Sequence, residues 1–170
     1  MSAKQVLVAE ANLTPITAAN PTPFHVKSRK ESKPMTQEAN IAAQQKFGHA
    51  VNSGELELLD NLVAEDAVDN DPAPGQGPGP AGYKAFYGEM LIAFPDLHIE
   101  VERLVANDTD VAFAYTLTGT HQGPLMGHSA SGKKFSVRGM QISRFENGKL
   151  AERWGSSDQQ GMLGQLGLAP

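Results

Sequence analysis

The chain has 170 residues, no cysteine, 14 basic against 19 acidic side chains and a formal net charge of −5. This length favours one domain with a buried core. The acidic balance argues against a phosphate-neutralising nucleic-acid surface, and the lack of cysteine excludes disulfides, thiolate metal sites and a cysteine nucleophile.

The five histidines, His25, His49, His98, His121 and His128, form no His-x-x-x-His pair, so no metal site is expected. No apolar run approaches the roughly 20 residues that span a bilayer, so no membrane partner is expected either. Residues 1–35 carry several prolines and no apolar core of signal-peptide length, and read as a flexible arm or a leader ahead of Met35. Val6 to Ala9 in this arm is a candidate edge strand. The lack of a recognisable signal favours the cytoplasm.

A domain is expected over residues 36–170. Thr36 is placed to cap a helix carrying Ile41, Phe47 and Val51 and ending at Asn52-Ser53-Gly54. A second short helix is expected from about Glu55 to Ala64, followed by an extended Asp66–Asp71 stretch. Pro72 to Gly82 reads as a loop. Tyr83, Phe86, Tyr87, Met90, Leu91 and Phe94 then recur at three- and four-residue steps until Pro95, the stripe of a helix lying on a core.

Alternation dominates the remainder. Leu97, Ile99 and Val101 share one strand face. Val111, Phe113, Tyr115, Leu117 and His121 share another. A third strand covers Lys133–Phe145, Asn147-Gly148 makes a hairpin turn, and a fourth runs through Trp154 towards Asp158. The sum is an α+β class: a curved antiparallel sheet packed on about three helices around an interior pocket.

Regular alternation through the last strand puts Leu150, Glu152, Trp154, Ser156 and Asp158 on one side, with Trp154 facing the helix-covered interior. Asp158 is then a candidate acid/base group. The competing reading is that it caps the helix beginning at Gln159, and an exposed, capping Asp158 would favour binding over catalysis. His121 is the second catalytic candidate, at the end of an apolar strand face. Trp154, Tyr115, Phe113, Phe94, Gln141, Asn70 and His128 complete the expected substrate-binding set, and Asp71 joins Asn70 at the mouth. No nucleotide fingerprint and no Gly-x-Ser-x-Gly elbow is present.

In order and spacing, "AFPDL", "GTHQG", "SGK", "RFENGK" and a tryptophan followed four residues later by aspartate resemble the SnoaL-like polyketide or ester cyclases of the NTF2-like superfamily, from about Gln37 to Gly167. The resemblance implies a cone-shaped α+β fold. It implies a cofactor-free intramolecular aldol condensation of a polyketide ester or other apolar carbonyl substrate, with the aspartate matching Asp158 as general acid and base. Ala114, the Asn70 region and His128–Ser131 depart from the common pattern of that family, at positions expected to line or rim the pocket. Two rivals stand beside this reading: an epoxide or ester hydrolase, and a non-catalytic binding module. A homodimer through the open sheet face is expected, since three helices cannot cover both faces.

Overall fold

The computed structural model describes residues 35–169, so the arm expected over residues 1–35, with its candidate edge strand, lies outside the described residues apart from Met35. The first helix, α1 (Gln37–Ser53), is capped by Thr36, whose Oγ1 accepts from the Ala39 amide at 3.2 Å. It closes on Gly54, which takes the left-handed conformation at φ 74°. Asn40, Ala43, Phe47, Ala50 and Val51 form its buried stripe.

A 3₁₀ turn (Leu56–Leu58) leads into a single helical turn, α2 (Leu59–Leu62). Val63 leaves the helix and begins strand β1 (Val63–Asp69), so the second helix is shorter than its apolar spacing implied. Helix α3 (Gly79–Ala93) starts three residues before the glycine-rich stretch ends, with Pro80 in its first turn. The glycines there serve close packing. A Cβ on Gly82 would lie 1.7 Å from the Gly77 carbonyl oxygen, and one on Gly79 would lie 2.6 Å from that of Glu65.

Strands β2 (His98–Ala106), β3 (Asp110–Thr120), β4 (Lys134–Glu146) and β5 (Lys149–Ser157) follow, then helix α4 (Gln159–Leu166). The sheet order is β1-β5-β4-β3-β2. The last four strands are antiparallel as expected, while β1 adds parallel to β5 and makes the curved, unclosed sheet mixed.

Asn147 and Gly148, at φ 52° and 80°, turn β4 into β5. Asn107 Oδ1 accepts from the Thr109 and Asp110 amides and so closes the β2–β3 turn. At the edge of β2, Asn52 exchanges two 2.9 Å hydrogen bonds with the Ile99 backbone, occupying groups that would otherwise invite another strand. Thr120 donates from both N and Oγ1 to Asp96, and these two bonds hold that carboxyl below its usual range.

One core lies between α1, α3 and the inner sheet face, around Phe47, Leu59, Tyr83, Val111 and Phe145. A second, around Phe94, Leu97, Phe135, Met162 and Leu166, is closed by α4.

One irregularity decides what the cavity sees. Arg144 pairs with Glu152 but Phe145 pairs with Leu150, leaving Ala151 as an extra residue in β5. Leu150 and Ala151 are both buried, and the facing of every later residue is inverted.

Candidate functional site

Between α1, α3 and the inner face of the sheet lies a cavity of about 860 Å³. Its walls are largely apolar, from Phe47, Phe86, Ile99, Leu104, Phe113 and Leu117. Phe113 and Tyr115 project into it from β3 because they share the inward face expected of that strand.

The polar wall is built across β1, β5 and β4. Register places Asp69 opposite Arg153, and the Arg153 Nη1 donates to both Asp69 oxygens, at 2.9 and 3.1 Å. The Nε of Arg153 donates to Gln141 Oε1 at 2.9 Å, and Gln141 Nε2 donates to Ser143 Oγ at 2.8 Å. Asp69 also accepts from Gln76 Nε2 at 3.2 Å and from the Asp71 amide at 3.1 Å. The Pro/Gly segment is thereby drawn against the cavity, which Pro72, Ala73, Pro74 and Gln76 help to line.

Two glycines let long side chains lie flat on the sheet. Tyr115 pairs with Gly139, where a Cβ would sit 2.3 Å from the ring. Arg153 covers Gly155, where a Cβ would sit 2.4 Å from Nη2. Nη2 itself has no acceptor among the described residues, and Arg153 borders the cavity.

Three phenols surround this guanidinium. Burial, then the Asp69 charge, pushes the Tyr83 pKa far up. Burial pushes Tyr87 up to about 12 and raises Tyr115, with Arg153 opposing in all three. Burial also works against the Arg153 charge, but Tyr87, Asp69 and Tyr83 outweigh it and keep the group protonated. At neutral pH the wall therefore offers a cation and three neutral O–H donors. Asp71, exposed at the border, accepts from the Gly155 amide through Oδ2 at 2.9 Å. Its Oδ1 has no donor among the described residues.

Three of the expected site residues line the cavity: Phe113, Tyr115 and Gln141. The others do not. The Ala151 bulge turns Trp154 to the outer face, where the Arg144 guanidinium sits 5.8 Å from its ring centre, and brings Arg153 inward instead. Asp158 is exposed and caps α4, accepting from the Gly161 amide at 2.8 Å, while its neighbours Ser157 and Gln159 line the cavity.

His121 is fully buried in the second core, its Nδ1 accepting from the Ser131 amide at 3.1 Å and its ring 5.7 Å from Phe94. Phe94 is itself core, packed on Phe135 at 4.9 Å. Asn70 turns outward and donates to the Arg153 carbonyl at 3.0 Å. His128 is exposed and bridges the Leu125 backbone.

Arg153, Asp69, Tyr83 and Tyr87 are the functional candidates that alternation missed or left in the core. The usable signal was the apolar pair Leu150-Ala151, which breaks the period just before Arg153. Among the described residues no cluster of three or more His, Asp or Glu could hold a metal, and no helix is long and apolar enough to cross a membrane.

Comparison with solved structures places this architecture. TsrD from Streptomyces laurentii is 26% identical, with 79% of this chain and 98% of that chain covered and a TM-score of 0.72. AclR, a proposed hydroxylase from Streptomyces galilaeus, is 28% identical over 79% of this chain and 100% of its own, with a TM-score of 0.68. IdmH, a proposed polyketide cyclase from Streptomyces antibioticus, is 31% identical over 75% of this chain and 98% of its own, with a TM-score of 0.67. No curated protein matches. The family model of the SnoaL-like polyketide cyclases matches residues 41–166, which takes in the cavity, the polar wall and the capped last helix alike; the chain belongs to that family.

Proposed function

We propose that this protein is a cyclase-type enzyme performing acid/base chemistry on a polyketide-like or other apolar carbonyl compound, with ring closure by intramolecular aldol condensation. The observation that carries the reading is the polar wall, where one guanidinium and three neutral phenols border a largely apolar space large enough for a polycyclic ligand. Such a wall stabilises oxygen that becomes negative during reaction, in surroundings where each donor counts for more than in water.

Asp71 is the proposed base, because it is a carboxylate bordering the cavity with one oxygen uncommitted among the described residues. It removes a proton from carbon flanked by carbonyls. The enolate oxygen takes up its charge beside Arg153, the enolate carbon bonds to a second carbonyl carbon, and the new alkoxide takes back the proton held by Asp71. Carbon loses one proton and oxygen gains one, so the product is an isomer.

The test uses aryl β-keto esters, with ring closure followed by NMR and mass spectrometry. Asp71→Asn keeps the acceptor for Gly155 and should lower kcat by roughly 10²- to 10⁴-fold, while Asp158→Asn should retain turnover. Full activity in Asp71→Asn with loss in Asp158→Asn would move the base to the α4 cap. The exposed, capping Asp158 favours one second reading, a binding module that holds such compounds without converting them. That reading predicts affinity without solvent deuterium entering the α-carbon. Hydrolysis of an epoxide or ester would instead place solvent oxygen in the product.

The outer sheet face exposes Val105, Met140 and Ile142, and we propose it as a homodimer contact. Sedimentation at micromolar concentration should give twice the 18.1 kDa chain mass; a single species at the chain mass refutes this.

A further inference from the structure

Tyr83 is 2% exposed, lines the cavity, and has a hydroxyl with no hydrogen-bond partner among the described residues. A buried hydroxyl in that condition is unusual, because leaving a donor unsatisfied costs most of what solvation gave it. The obvious acceptor is close by, since Asp69 raises the Tyr83 pKa both through its charge and through a hydrogen-bonding approach to the phenol. Yet both Asp69 oxygens already accept from Arg153 Nη1, and Gln76 and the Asp71 amide add two further bonds. Those four bonds leave the Tyr83–Asp69 approach short of a completed hydrogen bond, so an acceptor brought into the cavity can compete for the phenolic proton.

The ring is fixed while the proton is free. Phe47 meets Tyr83 edge-on with ring centres 5.9 Å apart, and α3 is seated by the close approaches of Gly79 and Gly82. Burial and the neighbouring carboxylate keep the phenol neutral, so it acts as a donor across the physiological range. Because this hydroxyl is enclosed and unpaired, a ligand that offers it an acceptor gains affinity over one of the same shape that does not.

We propose that Tyr83 is a specificity-determining residue that reads a keto oxygen on the ligand, selecting aryl ketones over hydrocarbons of the same shape, with the Arg153 cation beside it strengthening the preference for oxygen. This inference rests on the reading of the cavity as a site for apolar carbonyl compounds, and it names the contact that makes the carbonyl matter.

The full chain is titrated with 9-fluorenone and with fluorene, which share a skeleton and differ in the keto group, by equilibrium dialysis. The wild-type protein should bind fluorenone on the order of tenfold tighter. Tyr83→Phe keeps the ring against Phe47 and should erase that preference, weakening fluorenone binding while fluorene, no longer facing an unpaired hydroxyl, binds as well or better. The infrared carbonyl stretch of bound fluorenone should lie lower in the wild-type protein than in Tyr83→Phe, a signature that a purely structural tyrosine would not produce. Equal binding of both compounds to the wild-type protein, or an undiminished preference in Tyr83→Phe, overturns the inference alone. Binding of neither compound overturns the reading of the cavity together with it.

Discussion

Gly139→Ala adds one methyl group to the floor of the cavity, and its cost can be worked from the geometry. The new Cβ would lie 2.3 Å from Tyr115 Cζ, 2.4 Å from its hydroxyl oxygen and 2.8 Å from Cε2. Carbon atoms rest at about 3.5–4.0 Å, so the ring must move by more than about 1 Å or β4 must shift. Neither is free. The ring centre lies 5.8 Å from that of Phe113, and β4 is paired on both sides. Overpacking of this kind costs about 1–3 kcal/mol, which for a chain of this size lowers Tm by roughly 3–12 °C. The displaced ring enters the cavity, so KM should rise as well.

Differential scanning calorimetry and a ligand titration read both effects. Gly164→Ala in α4 is the control, since a Cβ there meets nothing within 4 Å and its helical position should gain about 0.5–1 kcal/mol. Tyr115→Val in the Gly139→Ala background should recover stability, because the two changes share one contact and couple. An unchanged Tm in Gly139→Ala, or no coupling with Tyr115→Val, would refute the argument.

Alkaline titration tests the polar wall directly. Tyr83, Tyr87 and Tyr115 all have folded pKa values above the ordinary tyrosine value of 10.0. Their contribution to stability is fully present below that value and is lost as pH rises through the folded values, at about 1.4 kcal/mol per pH unit for each group. Phenolate absorbance should show Tyr87 ionising near pH 12 in the folded chain, and all three ionising near 10 would sink the assignment. Arg153→Met strands Asp69, whose side chain is 7% exposed, and should cost about 3–5 kcal/mol in denaturant unfolding. Adding Asp69→Leu should restore most of that stability but not activity; recovered turnover would remove Arg153 from the mechanism.

Local chemistry made much of the fold legible. Thr36 caps α1, the three- and four-residue steps from Tyr83 mark α3, and Asn147-Gly148 turns β4 into β5, each through forces acting within a few residues. The same locality carried Phe113 and Tyr115 correctly to the inner face. What sequence left open depended on contacts between distant segments. The parallel docking of β1 on β5 sets Asp69 against Arg153 across 84 residues, and no periodicity in either segment announces the pair. The Pro72–Gly82 glycines mark loops by composition, yet Gly79 and Gly82 lie in α3 because the chain must pass close to Glu65 and Gly77.

The last strand shows how one residue governs the site. Alternation counted from Leu150 points Trp154 inward. The extra Ala151 reverses this, so the large aromatic lies outside against Arg144 while Arg153, Gly155 and Ser157 reach the cavity. A buried cation is costly without partners, and β1 meets that cost by bringing Asp69 alongside. Gly155 then couples the parts, since its amide holds Asp71 while its missing side chain leaves room for the Arg153 guanidinium. The spacing of tryptophan and aspartate in this segment marks the outer face and the start of α4. The residues that reach the cavity are Arg153 before the tryptophan and Gly155, Ser156 and Ser157 after it, and the proposed roles of Asp71 as base and Arg153 as charge stabiliser rest on that placement, with Gly155 touching both.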